Sequence, residues 1–294
     1  MMNNIIAIIF DFDITLSPYF QQEIIFKRWN INPQDFWDKA GFYMKNGYDM
    51  EHAYLRVLID YNKKEGFELN NNLLYELGKE IKLYEGLSRI KHSIFDDLEN
   101  LLLQDEFIDY NIKLEYYCIS GGLTPMIEGA LNANKLNFKE VFACSLDEDE
   151  SGKLNYIKES VGHTIKTQKL YMIAKGVFPQ KGDNPLKVNE KVNNLRIPFE
   201  NMIFLGDGQT DIPAFSMLKK KGGIPIAVYR EEKINGKIDE AKTLQTYLKE
   251  YDLAIKSGRA EQLLPADYSD AKPLKMAIMG YVLEIAKRIK SANR

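Results

Sequence analysis

Ile5-Ile6-Ala7-Ile8-Ile9-Phe10-Asp11-Phe12-Asp13-Ile14-Thr15-Leu16 decides how this chain is read: an unbroken apolar run, rich in β-branched residues, that stops at two carboxylates. Such a run predicts a strand covered on both faces within a parallel sheet. Leu114–Ile119 before Ser120-Gly121-Gly122 repeats the design, as does Met202–Leu205 before Gly206-Asp207-Gly208-Gln209-Thr210-Asp211. Ile224–Tyr229 is a further strand with no evident chemistry at its end. Helical patterns follow the first three runs. The alternation predicts an open parallel α/β sheet of Rossmann-like type, with its ligand site beyond the carboxyl ends of the strands. Three polar clusters then converge on one sheet edge.

Between Leu16 and Tyr84 no β-rich run occurs. The helical candidates there are Gln21–Trp29, Gln34–Met44, Met50–Asn62 and Asn71–Leu83, joined by turns containing Asn, Gly and Pro. This predicts a helical insertion over residues 17–84, placed after the first strand of a core made from 1–16 and 85–294. Ser88–Phe107 reads as the first helix back in the core, Phe178–Pro198 as a loop with one short helical piece, and Leu274–Lys290 as a helix packed on the core.

The chain has 294 residues, 45% hydrophobic and 28% charged, enough to bury a large core. A formal charge of −3 and the lack of any long basic run argue against nucleic acid and for small solutes. Cys118 and Cys144, the only cysteines, lie in apolar stretches and read as reduced buried thiols. Met1–Phe10 is uncharged before Asp11 and too short to span a bilayer, so no membrane partner and a cytoplasmic address are expected.

The chemistry follows from the carboxylates. Asp11 and Asp13 can share one site if the chain turns there, one attacking and the other handling a proton. A carboxylate can attack a phosphate ester only if the facing negative charges are neutralised. Two unit charges about 3.5 Å apart repel by roughly 5 kcal/mol at an effective dielectric near 20. A hard divalent cation held by oxygens, a lysine and main-chain N–H groups would remove that barrier. Asp207 and Asp211 supply carboxylates for a cation, Ser120 and Gly121 a hydroxyl and main chain for phosphate oxygens, and Lys166 a positive charge.

In this order FDFDITL, CISGG, IKTQK and FLGDGQTD resemble the four motifs of the haloacid dehalogenase-like phosphatase superfamily, and more narrowly its phosphoserine-phosphatase-like branch. The resemblance covers Ile5–Leu16 and about Glu85–Tyr229, with the helical insertion in the place of that branch's cap. It implies a Mg²⁺-dependent phosphatase acting on a small phosphorylated metabolite. Asp11 would be the nucleophile and Asp13 the general acid and base. Mg²⁺ would be held by Asp11, Asp207 and the main-chain carbonyl of Asp13, with Asp211 in support. Ser120, Gly121 and Lys166 would bind the phosphoryl group, and Thr15 would orient the loop.

Blander readings stand beside these. Asp11 and Asp13 alone could be an acidic turn, and Ser120 alone a helix cap. Lys169 rivals Lys166 from the same helical face. His52, His92 and His163 have no metal-ligand spacing, and Phe20, Phe26, Trp29, Phe36, Trp37, Phe42 and Tyr43 read mostly as cap core. The run Asp147–Glu150 reads as a solvated turn. Phosphoserine itself is not assigned: the stretch where that branch carries a glutamate for the ammonium group reads Pro18-Tyr19-Phe20-Gln21-Gln22, with Glu23 too far along, and Arg56 reads equally as a surface residue. A non-catalytic binding or regulatory module of the same fold and a phosphomutase remain alternatives. A dinucleotide-dependent dehydrogenase is disfavoured, because no G-x-G-x-x-G follows the first strand.

Overall fold

The computed structural model describes residues 4–64 and 66–293; Met1–Asn3 of the amino-terminal apolar reading therefore lie outside the described residues. Strand β1 (Ile5–Phe10) occupies the middle of a seven-stranded sheet of order β4-β3-β2-β1-β5-β6-β9. Its neighbours are β2 (Lys113–Leu123) and β5 (Met202–Gly206); beyond them lie β3 (Glu140–Glu148) and β4 (Leu154–Glu159) on one side, β6 (Ile224–Tyr229) and β9 (Gln262–Pro265) on the other. All pairings are parallel except β3 with β4. Ile6–Phe10 and Met202–Leu205 are almost wholly buried, as apolar runs covered on both faces should be. Chain order runs outward through β2 and β3 one way and through β5 and β6 the other, so the crevice beside β1 is a topological switch point.

Helices α1 (Gln22–Arg28), α2 (Pro33–Lys45), α3 (Met50–Asn62) and α4 (Asn71–Gly78) fill the segment after β1. Asn32, Asp49 and Asn70 cap the last three, each accepting a main-chain N–H. The fourth stops at Gly78, short of the expected Leu83. There it meets α6 (Thr124–Ala133) so closely that a Cβ on Gly78 would collide with the Met126 main chain, and one on Gly129 with the Tyr75 carbonyl. The inserted segment is thus packed hard on the sheet-covering layer. Asn62 ties it further, donating to the carbonyls of Leu69 (3.0 Å) and Leu154 (3.1 Å).

Other expectations are corrected. Helix α5 is only Ile94–Leu102, because Ser93 and Asp96 form a capping box that starts it six residues inside the expected span Ser88–Phe107. Asp147 and Glu148 belong to β3 and pair with β4; the turn is Asp149–Gly152, where the Asp149 carboxylate accepts the Ser151 N–H at 2.9 Å. The loop after α7 (His163–Lys175) carries two short 3₁₀ pieces, Pro179–Lys181 and Pro185–Asn189, rather than one. Helix α8 (Ile212–Lys220), the small hairpin β7 (Lys233–Ile234) and β8 (Lys237–Ile238), α9 (Glu240–Glu250) and α10 (Pro273–Ala292) complete the chain. No helix among the described residues is long and apolar enough to cross a membrane.

Candidate active site

The three polar clusters meet at the carboxyl ends of β2, β1 and β5, which are adjacent. Phe10 lies opposite Cys118 on one side and Leu205 on the other, so Asp11, Ser120 and Asp207 leave neighbouring strands within two residues of that register. The Asp11 N–H donates to the Leu205 carbonyl at 2.8 Å and the Phe12 N–H to Asp11 Oδ1 at 2.7 Å, which holds the first carboxylate still.

After Asp11 the chain folds back on itself. The Phe12 carbonyl accepts the N–H groups of Thr15, Leu16 and Ser17, and Ile14 between them has a φ of 61°. Left-handed backbone is uncommon for a β-branched residue, and this strain lies between Asp13 and Thr15, where the turn returns both to the site. Thr15 differs from the sequence reading. Its buried hydroxyl finds no hydrogen-bond partner among the described residues, and the loop is held instead by its carbonyl, which accepts the Tyr268 hydroxyl at 2.9 Å.

Ser120 reaches the site through an irregularity in β2. Between the pairs Ile119–Phe142 and Leu123–Cys144 the strand advances four residues and its partner two, so Ser120, Gly121 and Gly122 bulge from the ladder. Ser120 Oγ accepts the Gly122 N–H at 3.1 Å. The Gly121 carbonyl accepts the Tyr54 hydroxyl at 2.7 Å and the Cys144 thiol at 3.2 Å, so one cysteine braces the bulge and both thiols are buried and free.

Asp11, Asp207 and Asp211 each offer an oxygen within 4.8 Å of the others. Lys166 Nζ, fully buried on α7, lies 2.7 Å from Asp211 and 3.2 Å from Asp11. Lys169, its rival, turns instead to Glu159. The Asp13 carboxylate stands outside the oxygen trio and accepts the Gln21 N–H at 2.9 Å. An all-oxygen, acidic donor set, buried at Asp11 and Asp211 and half-buried at Asp207, suits a hard dication such as Mg²⁺, so the residues fit that ion.

Burial and crowding set the protonation. Burial, then the charge of Asp11, pushes the Asp13 carboxyl up to about 7. Burial raises Asp211 to about 6, with Lys166 pulling the other way, and raises Asp207 well above the carboxylate range, with Asp11 and Asp211 adding to it. Burial opposes the charge on Lys166, but Asp11 and Asp211 together outweigh it and hold the ammonium above its usual range.

The helical segment supplies residues the sequence reading did not single out. Gln21, fully buried, accepts the Leu123 N–H at 2.9 Å, and its amide fills the space beside Gly122 that a Cβ would need. Glu51 on α3 lies against Gly121 and Gly162 and is almost wholly buried. Burial lifts its carboxyl above the ordinary range. Only the apolar periodicity of α3, which turns Glu51, Tyr54 and Leu55 inward together, could have pointed to Glu51. Arg56 points away, half-exposed and paired with Asp60 at 3.0 Å. Of the aromatics in the helical segment, Phe26 and Phe36 are core, while Phe20, Trp37 and Phe42 are exposed. His52 and His92 sit on surface carboxylates, Asp49 and Asp97.

No family model matches the chain. An uncharacterised protein of Borreliella burgdorferi is 31% identical over 239 residues, covering 73% of this chain and 79% of that protein. A probable phosphoserine phosphatase from Vibrio cholerae matches the structure with a TM-score of 0.54 at 14% identity, over 98% of this chain and 67% of that one. A HAD family hydrolase from Salmonella enterica serovar Typhi matches with a TM-score of 0.51 at 18% identity, over 76% of this chain; the match spans 62% of that protein's length. The chain therefore belongs to one family with the Borreliella burgdorferi protein, and it shares its fold with the HAD family hydrolase and the probable phosphoserine phosphatase.

Proposed function

We propose that the protein is a Mg²⁺-dependent phosphomonoesterase that hydrolyses a small phosphorylated metabolite through an aspartyl phosphate on Asp11. One observation carries the reading: Lys166 bridges Asp11 and Asp211 at a switch point, within a carboxylate trio sized for a dication. Asp11, Asp207 and Asp211 would hold Mg²⁺, with the Asp13 carbonyl as the further ligand that the family resemblance implies. When bound, the ion would neutralise the charges that keep a carboxylate and a phosphate apart.

Asp11 is fixed by the Phe12 N–H through Oδ1, leaving Oδ2 beside Lys166 to attack phosphorus. As the new O–P bond forms, the ester O–P bond breaks, and the leaving oxygen takes a proton from Asp13. A carboxyl held near pH 7 is suited to this work, since it is protonated in a useful fraction at neutral pH. The Asp13 carboxylate then takes a proton from water, whose oxygen attacks the same phosphorus and releases inorganic phosphate from Asp11. Lys166, with Ser120 and Gly121, would carry the phosphoryl oxygens through both steps.

Residues 17–84 would act as the cap. Gln21, Glu51 and Tyr54 lie against the phosphate loop from above, so substrate entry requires this segment to move, and its return excludes water from the aspartyl phosphate. Phosphate release from a generic aryl phosphate is the direct assay. Release with Mg²⁺, lost in Asp11→Asn and lost with EDTA, is expected; release that continues unchanged in either arm sinks the reading. A bisphosphate product from a sugar phosphate would identify a phosphomutase instead.

A further inference from the structure

We propose that Glu250 is an outer carboxylate of the cation site, a positioning residue that tightens Mg²⁺ binding; this rests on the reading of Asp11, Asp207 and Asp211 as ligands. Glu250 ends α9 and is buried. Its Oε1 lies 3.6 Å from the exposed Lys249 ammonium, whereas Oε2 is buried with no hydrogen-bond partner among the described residues. That oxygen sits so close to Gly208 that a Cβ there would collide with it, and Gly208 also takes a φ of +109°. Glycine at this position thus answers two demands, the turn and the carboxylate.

Gly208 lies inside the loop that carries Asp207 and Asp211, and Glu250 is close enough to act on the charge of both. A buried carboxylate oxygen without a partner is unfavourable unless a cation or water bound to one completes it. Around this point Asp11, Asp207 and Asp211 share one buried ammonium, Lys166, and Glu250 adds a further carboxylate beside Asp207 and Asp211. In the metal-free protein Glu250 is repelled by Asp207 and Asp211, and the only cation paired with it among the described residues is the exposed Lys249 at the other oxygen. A purely structural glutamate would have a donor on Oε2; this one has main chain of the cation loop. The helix also changes form directly after it, into a π-helical turn over Tyr251–Ile255, a feature that recurs at functional positions.

The outer carboxylate does not touch the reacting atoms. With the ion bound it would accept hydrogen bonds from water held there, and its negative charge would raise affinity for a dication. Two measurements on the full-length chain separate this from a packing role: calorimetric titration with Mg²⁺, and melting in EDTA at pH 8. Glu250→Gln is expected to weaken Mg²⁺ binding about tenfold and to raise the metal-free Tm by roughly 2–3 °C, because one buried repulsive charge is gone. Glu250→Asp, which keeps the charge, should stay closer to wild type in both. Unchanged Mg²⁺ affinity in Glu250→Gln, or a lower metal-free Tm, overturns the proposal. Asp207→Asn tests the underlying reading separately: it should abolish the Mg²⁺ heat, and a wild-type chain that binds no Mg²⁺ overturns both.

Discussion

On the sheet side of the site the polar groups mostly satisfy one another, whereas on the helical side they reach it with atoms left over. Lys166 pairs with Asp11 and Asp211, Asp11 takes the Phe12 N–H, and Ser120 takes the Gly122 N–H. Across from them Gln21 Nε2 and Glu51 Oε1 are buried without a hydrogen-bond partner among the described residues. The exceptions on the sheet side are Thr15 Oγ1 and Glu250 Oε2. A preformed charged floor suits chemistry, because donors already aimed at developing charge need no rearrangement as the reaction proceeds. Unpartnered polar atoms under a helical roof suit recognition, since a ligand completes them.

The sharpest way to break this division is at Asp13. Asp13→Asn removes the proposed proton donor while keeping shape, so turnover of an alkyl phosphate should fall about 10³-fold. An aryl phosphate, whose leaving group needs little protonation, should suffer less in the first step and accumulate phosphorylated enzyme. Equal losses on both substrates in the rate of the first step, read as release of the alcohol or phenol in a single turnover, would take the acid role from Asp13. Next in size comes Lys166→Met. The lysine is fully buried between two carboxylates, and deleting one partner of a buried ion group costs about 3 kcal/mol or more. The metal-free variant should melt well below wild type, with saturating Mg²⁺ restoring part of the loss. A melting temperature unchanged in EDTA would mean that Lys166 is not what balances the trio.

How much of this was legible in the chain follows the same division. Asp11, Asp13, Asp207 and Asp211 stand at the ends of apolar runs or inside compact motifs, so local pattern singled them out, whereas Lys166 is told from Lys169 only by where each ammonium lies in the fold. The β2 bulge that aims Ser120 was not legible, because Gly121 and Gly122 tell of freedom and not of register. Glu51 and Gln21 were missed for a different reason: each is a polar residue on a helix, and only tertiary packing decides that it faces inward. Glu250 lies almost forty residues beyond the motif it serves, and no local spacing links it to Gly208. The antiparallel β4 escaped notice because its alternating pattern is half exposed and short.

Glu51 sharpens the comparison from the roof. Glu51→Gln keeps the volume against Gly121 and Gly162 but removes a carboxylate that stands within reach of Lys166's charge. If the roof recognises and the floor reacts, the variant should raise KM for the natural substrate about tenfold while kcat for a small aryl phosphate stays within a factor of two or so of wild type. Steady-state kinetics on both substrates make the check, and a collapse of kcat on the aryl phosphate would move Glu51 into the reacting set.

The smallest expected effect is the most specific to the floor. Asp13 is held at about 7 and Asp211 at about 6, both from a normal 3.8, first by burial. The folded chain thus keeps protons that the unfolded chain has already released. Their stabilising contribution is complete below about pH 4 and is lost as pH climbs through 6 and 7, opposite in sign to that of paired surface carboxylates such as Asp97, which is lowered. Melting in EDTA between pH 5 and 8 should therefore fall by roughly 3–5 °C more in wild type than in Asp13→Asn, allowing for the partial exposure of Asp13. Saturating Mg²⁺ should remove part of that difference, because a dication beside Asp11 cancels the second cause of the Asp13 shift and leaves the larger one, burial. Parallel melting curves for the two proteins across that range, with and without the ion, would mean that the crowding of carboxylates at the end of β1 exerts no force on the fold.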